Sequence, residues 1–165
     1  MKPFHPYTVI FLLLLLLPAC GPQQPEFIDH AFDGFSIALP APRPAAHTEQ
    51  GADGKISSVS AEAEGSKYLV VYWELPMYLR GISDDQILES MSLGAGAWKA
   101  INQKNVTVAG LPGKEIAGET ANGKRMVTRM VRTRDRVYLL TVGGAQFDPS
   151  TTATKRFFES FRIHD

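Results

Sequence analysis

"KEIAGETANGKRMVTRMVRTRDRVYLLTV", Lys114–Val142, reads as three strands joined by two tight turns. Lys114 to Thr120 runs into Asn122-Gly123, the strongest short hairpin signal, because both residues tolerate the positive φ that a two-residue turn requires. Lys124 to Thr133 returns, Arg134-Asp135 turns again, and Val137 to Val142 has the continuous apolar character of a central strand. Strands linked this closely pair antiparallel, so the segment predicts a meander. With a two-residue turn at Asn122-Gly123, Ile116 faces Arg129 and Thr120 faces Arg125.

Upstream, Val106 and Val108 mark a short strand, and Gly110-Leu111-Pro112-Gly113 turns into the meander. Ser83 with Gln86 three residues on makes a capping box, opening a helix whose buried face is Ile87, Leu88, Met91 and Leu93, and which Gly94 ends. "KYLVVYWEL", Lys67–Leu75, is dense in aromatic and β-branched residues and is the strongest single strand. Glu64-Gly65-Ser66 turns it back on "KISSVSAEA", Lys55–Ala63, whose half-polar character predicts an edge or solvent-facing strand. "FSIALP" alternates Phe35, Ile37 and Leu39 on one face before Pro40 stops it. Downstream, Asp148 or Ser150 caps a short helix with Phe157, Phe158 and Phe161 inward, and Arg162-Ile163 closes as a strand. Runs of antiparallel strands with segregated helices predict an α+β domain, an antiparallel sheet layered with helices as an α-β-α sandwich.

The chain has 165 residues, with 17 basic against 17 acidic and a single cysteine. This neutral balance argues against nucleic acid as the main partner. Lys2 and the apolar run Val9–Leu17 form a secretion signal, too short for a bilayer-spanning helix, which needs about 20 apolar residues. Leu17-Pro18-Ala19-Cys20 resembles the lipobox of bacterial lipoproteins. In that family the signal is cut before the cysteine, which is then acylated. The resemblance implies a signal peptide over 1–19, an acylated Cys20 with a flexible tether over 20–31, and one domain over 32–165. Several acyl chains hold a protein on a membrane without a transmembrane helix. Gly21 stands where an Asp would retain enterobacterial lipoproteins, so the expected location is the cell envelope, on the periplasmic face of the outer membrane.

"FDGFSIALPAPRP" (Phe32–Pro44), "GLPGKEI" (Gly110–Ile116), "DRVYLLTVGG" (Asp135–Gly144) and "KRFFESFRI" (Lys155–Ile163) together resemble the PsbP-like group. That group includes the photosystem extrinsic protein PsbP and bacterial lipoproteins of the DcrB type. The resemblance covers Phe32 to Ile163 and implies an antiparallel sheet between helices. Its members bind protein complexes or have no assigned role, and they share no catalytic residues to carry over.

The residues themselves show no catalytic or metal-binding pattern. His30, His47 and His164 lie near the ends or in a proline-rich loop, at no ligand spacing, with no cysteine partner. Asp84 and Asp85 are adjacent at a helix start, where they complement the dipole. Gly94-Ala95-Gly96 lacks the rest of a phosphate loop, and no nucleophile elbow occurs. No enzyme activity and no cofactor are expected.

Two surfaces stand out. In "YWELPMYLR" the part after Pro76 leaves the sheet yet stays aromatic and apolar, making Trp73, Met77, Tyr78 and Arg80 a candidate partner surface. The plainer alternative is that Met77 and Leu79 cap the core. The second is the arginine series Arg125, Arg129, Arg132, Arg134 and Arg136, of which Arg125, Arg129 and Arg132 are candidate partner residues, either paired with Glu115 and Glu119 or offering a local anionic site. The expected function is a lipid-anchored, non-enzymatic docking or accessory module for a membrane-associated complex, with an envelope protein as partner. The alternative is a carrier of a small apolar ligand, held between sheet and helices by Trp73, Trp98 and the phenylalanines.

Overall fold

A computed structural model of the chain describes residues 25–41, 43–51, 54–87, 98–145 and 147–164. The signal, Cys20 and the tether up to residue 24 lie outside the described residues, as do the helix beyond Ile87 and Gly94-Ala95-Gly96. Ten strands are described: β1 (Ile28–Phe32), β2 (Phe35–Leu39), β3 (Ala45–Gly51), β4 (Gly54–Ala63), β5 (Ser66–Glu74), β6 (Trp98–Val108), β7 (Leu111–Thr120), β8 (Arg125–Arg132), β9 (Arg136–Gly144) and β10 (Arg162–Ile163). A 3-10 turn covers Met77–Leu79, a helical turn residues 84–87, and the helix α1 Thr152–Ser160.

The meander expected from Lys114–Val142 is present, as β7, β8 and β9. It sits inside an antiparallel seven-stranded sheet of order β3-β4-β5-β9-β8-β7-β6. Its register differs by one residue from the expectation. Glu115 lies opposite Arg129, Ile116 opposite Thr128 and Glu119 opposite Arg125. The loop has three residues, since the Thr120 N–H donates to the Lys124 carbonyl at 2.9 Å and Gly123 alone takes a positive φ of 77°. That is the turn-plus-bulge alternative to the two-residue hairpin. At Glu64-Gly65, by contrast, both residues have positive φ (50° and 71°), the two-residue form.

β4 is not an edge strand. It pairs with β5 on one side and on the other with β3, a strand where the sequence reads as a proline-rich loop. His47 is therefore a strand residue. β6 starts at Trp98 and not near Val106, and the β6–β7 turn is Ala109-Gly110, with Leu111, Pro112 and Gly113 already in the ladder. Residues 28–31, read as tether, belong to β1.

β1, β2 and β10 form a separate three-stranded antiparallel sheet. Together with α1 it covers one face of the large sheet, so the described fold is richer in sheet and poorer in helix than an α-β-α sandwich. The shared core joins Phe35, Ile37 and Leu39 of β2, Val70 of β5, Val131, Tyr138 and Leu140 of the central strands, and Phe157 and Phe161, all at most 1% exposed. Thr151 caps α1, its hydroxyl accepting from the Thr154 N–H at 3.2 Å. Asp148 instead accepts from the Ser150 N–H and hydroxyl just before the helix. A smaller cluster on the opposite face, Leu75, Ile87, Met130, Val137 and Leu139, is covered by residues 75–87. There the capping box forms as expected, with Ser83 and Gln86 exchanging bonds of 2.9 and 3.2 Å.

Candidate functional site

The end of β5 shapes the first surface. The Leu75 N–H donates to the Asp135 carbonyl at 2.7 Å, tying the strand exit to the β8–β9 turn. Pro76, at φ −55° and ψ 151°, then directs the chain into the 3-10 turn. Bonds from Leu79 N–H to the Pro76 carbonyl and from Ile82 N–H to the Leu79 carbonyl hold that turn. A turn this tight alternates its side chains between core and solvent. Leu79 and Ile82 pack on the smaller cluster, whereas Met77 and Tyr78 are 82% and 67% exposed. The plainer reading of this stretch thus fits one of its two residues. Leu79 caps the core, and Met77 does not.

Trp73 is half-buried against the same cluster and pairs across strands with Ile56, which is 42% exposed. Gly54 lies close beneath, with φ +116° and the Trp73 indole nitrogen 3.5 Å from where a Cβ would stand. Arg80 reaches back, its Nε donating to the Leu75 carbonyl at 3.3 Å. A concavity of ≈560 Å³ lies beside this end, lined by Lys55, Glu74, Pro76, Arg80, Asp135 and Arg136 among others. Tryptophan, methionine, tyrosine and arginine of the first surface are therefore gathered at one end of the sheet. Ile56, which the sequence reading did not single out, joins them. Its own strand gave no hint, because the contact depends on the β4–β5 register.

The arginines divide between faces. Arg129 shares a face with Val127 and Val131, its guanidinium 4.4 Å from the centre of the Phe158 ring. Its Nε donates to Glu115 at 2.7 Å, and Lys104 holds the other carboxylate oxygen at 2.8 Å. Burial pushes the Glu115 carboxyl up, but the bonds from Lys104 and Arg129 outweigh it and keep the pKa below its ordinary value. Arg132 points to the opposite face. It donates to the carbonyls of Ile82 (2.5 Å) and Arg80, with Asp84 3.7 Å away. Arg125 is exposed at the start of β8, opposite Glu119. The three side chains do not converge on one anionic site.

The residues of the alternative ligand pocket do not converge either. Phe35 packs on Phe161, and Phe157 on Tyr68 and Phe158, all within the shared core, while Trp73 contacts the cluster on the opposite face. Trp98 begins β6 at the far edge, and its side chain lies outside the described residues. A concavity of ≈580 Å³ instead opens on the sheet between the β4–β5 and β7–β8 hairpins, with Leu69, Met126, Thr141 and Gly143 in its lining.

The histidines are apart. His30 bonds the Ala41 carbonyl and His164 the Ser36 hydroxyl, while His47 sits on β3. Among the described residues no group of three or more His, Cys, Asp or Glu could hold a metal ion, and no helix is long and apolar enough to cross a membrane. Asp84 and Asp85 make separate contacts, with Arg132 and Lys114.

No family model matches the chain, and no curated protein matches it. Among solved structures it is similar to the solution structure of cyanobacterial PsbP (CyanoP) from Synechocystis sp. PCC 6803, with a TM-score of 0.57 at 13% identity over 91% of this chain and 99% of that one. It also matches a Pseudomonas aeruginosa protein of unknown function, with a TM-score of 0.42 at 10% identity over 75% and 86% of the two chains. At such identities the first likeness is one of architecture. It agrees with the sheet-on-sheet arrangement described above, and this chain has a PsbP-like fold.

Proposed function

We propose that this chain is a non-enzymatic accessory module of the bacterial cell envelope, anchored on the periplasmic face of the outer membrane through an acylated Cys20. It docks onto a membrane-associated protein complex through the end of the large sheet that carries Met77 and Tyr78. The observation that carries this reading is the division within residues 75–82. Leu79 and Ile82 fix the 3-10 turn to the core, and the same turn holds Met77 and Tyr78 outward at 82% and 67% exposure. A thioether and a phenol ring presented on a firmly bonded turn, beside Trp73 and Ile56, match the composition of interface cores. With the backbone of the turn ordered in advance, binding has little main-chain freedom left to remove.

The test is crosslinking on intact cells followed by affinity purification, comparing wild type with Cys20→Ser and Tyr78→Ala. Wild type is expected to capture a defined envelope protein. Cys20→Ser should lose it by leaving the membrane fraction. Tyr78→Ala should stay in that fraction but recover at least about tenfold less partner, as a hot-spot truncation would. A wild-type sample that captures no partner would overturn the docking reading.

A further inference from the structure

We infer that the free edge of β3 is a self-association surface, at which two copies of this chain pair strand to strand about a two-fold axis through Thr48. β3 ends the strand order of the large sheet, and among the described residues its only ladder is with β4. That ladder runs unbroken from Ala45↔Ser60 to Gly51↔Gly54, and Ala45 through Gln50 are all exposed. From Ala45 to Glu49 the other side of β3 therefore presents a row of backbone donors and acceptors with no partner strand among the described residues, a template for another strand.

The opposite edge of the sheet is defended. On β6 the register shifts between Ala100 and Asn102, Ile101 stands 62% exposed, and Lys99 and Lys104 flank the irregularity. Bulges and lysines are the usual means of preventing edge pairing. β3 carries none of these. It has no lysine, no internal proline and no bulge.

The placement of His47 and Glu49 on β3 selects a second copy as the occupant. In an antiparallel pair about a two-fold axis, residues equally far from the axis on either side face each other. With the axis at Thr48, His47 of each copy lies opposite Glu49 of the other, and Ala46 opposite Gln50. Both titratable residues of the strand are thus matched twice, at the Cβ separations of about 4.5–5.5 Å where cross-strand pairs interact. An axis at Glu49 would set two carboxylates against each other. An axis at His47 would oppose two imidazoles and leave Glu49 facing Ala45. The Thr48 register also forms roughly six to eight backbone hydrogen bonds.

Thr48 faces its own copy at a Cα separation of about 4.5–5.5 Å, within disulfide range. In the full chain expressed in cells, Thr48→Cys is expected to give a covalent dimer under mild oxidation, above the background of the native chain. Ala46→Cys and Gln50→Cys should give none singly, because each faces the other position, but should crosslink when the two chains are co-expressed. Absence of the Thr48→Cys dimer, equal crosslinking at all three positions, or linkage of Thr48→Cys to a different protein would each overturn the proposal. Charge exchange gives a second reading on the purified full chain. His47→Glu should weaken dimerisation at least tenfold in sedimentation equilibrium, and adding Glu49→His should restore it. Failure of the double exchange to recover the dimer would overturn the register.

Discussion

Glu115 shows how much one side chain can carry in this fold. It lies on β7 between Lys104 of β6 and Arg129 of β8, so a single carboxylate bridges three neighbouring strands. Its side chain is only 13% exposed, and Arg129 is further confined by the Phe158 ring beneath it. Because the folded state keeps this carboxyl below its ordinary value of 4.5, the stabilisation is fully present above that value. It is lost as the pH falls below 4.5 and through the folded-state value. Glu115→Gln is therefore expected to cost about 1–2 kcal/mol at neutral pH, within the range for hydrogen bonds to charged groups. The gap between wild type and variant should narrow as the pH drops well below 4.5. Urea unfolding at a series of pH values checks this, and a gap that stayed constant would show that Glu115 carries no acid-sensitive stability. Of this triad the sequence reading names Glu115 and Arg129 only as members of a general arginine–glutamate pairing, and its register sets Ile116 opposite Arg129 where the fold sets Glu115. Lys104 was invisible to it because β6 had been read as a short strand beginning near Val106.

At the level of elements, Arg132 does for the 75–87 crossover what hydrogen-bonded strands do for the sheet. It supplies donors to the carbonyls of Arg80 and Ile82 from the opposite side of the segment. Arg132→Met would keep an apolar stem over the sheet while leaving those carbonyls without their donors. The expected cost is about 1–3 kcal/mol, with faster amide exchange confined to residues 79–87. Equal acceleration across β8 would instead place the residue's role in the sheet itself. The same elements show why the sequence was only partly readable. Asn122-Gly123 marked a hairpin correctly, but only Gly123 adopts positive φ, and a loop one residue longer shifts every cross-strand partner by one. β3 was missed because Ala45–Gly51 has no apolar alternation. Its strand conformation comes from pairing with β4, a tertiary cause that local pattern does not record. The Trp73–Arg80 stretch was recognisable by composition. Its division into half-buried Leu79 and exposed Met77 and Tyr78 depends on the 3-10 turn.

On the scale of the whole molecule, the small sheet and α1 are tied together by residues from both ends of the described chain. The His164 N–H donates to the Gly34 carbonyl, Arg156 to the Phe27 carbonyl, and the Ala38 N–H to the Ser160 hydroxyl. Arg136 of the large sheet fastens the β1–β2 turn through the Asp33 carbonyl (3.0 Å) and carboxylate (3.1 Å). At the centre of this closure is Phe35, fully buried, with the rings of Phe32, Tyr72, Tyr138 and Phe161 between 4.9 and 5.7 Å away. Alternation in "FSIALP" marks Phe35 as a core residue, but no local pattern shows that its strand belongs to a second sheet completed by β10. If the small sheet were an independent unit, a defect at Phe35 would loosen it alone. The shared aromatic packing and the bonds between distant segments argue for one cooperative unit. Phe35→Ala is accordingly expected to lower global stability by about 3–5 kcal/mol, as for large-to-small changes in tight cores. Hydrogen exchange should then report the same loss of protection in β2 as in β9, on the far side of the core. Loss confined to β1 and β2, with β9 as protected as before, would mean that the small sheet opens independently of the large one.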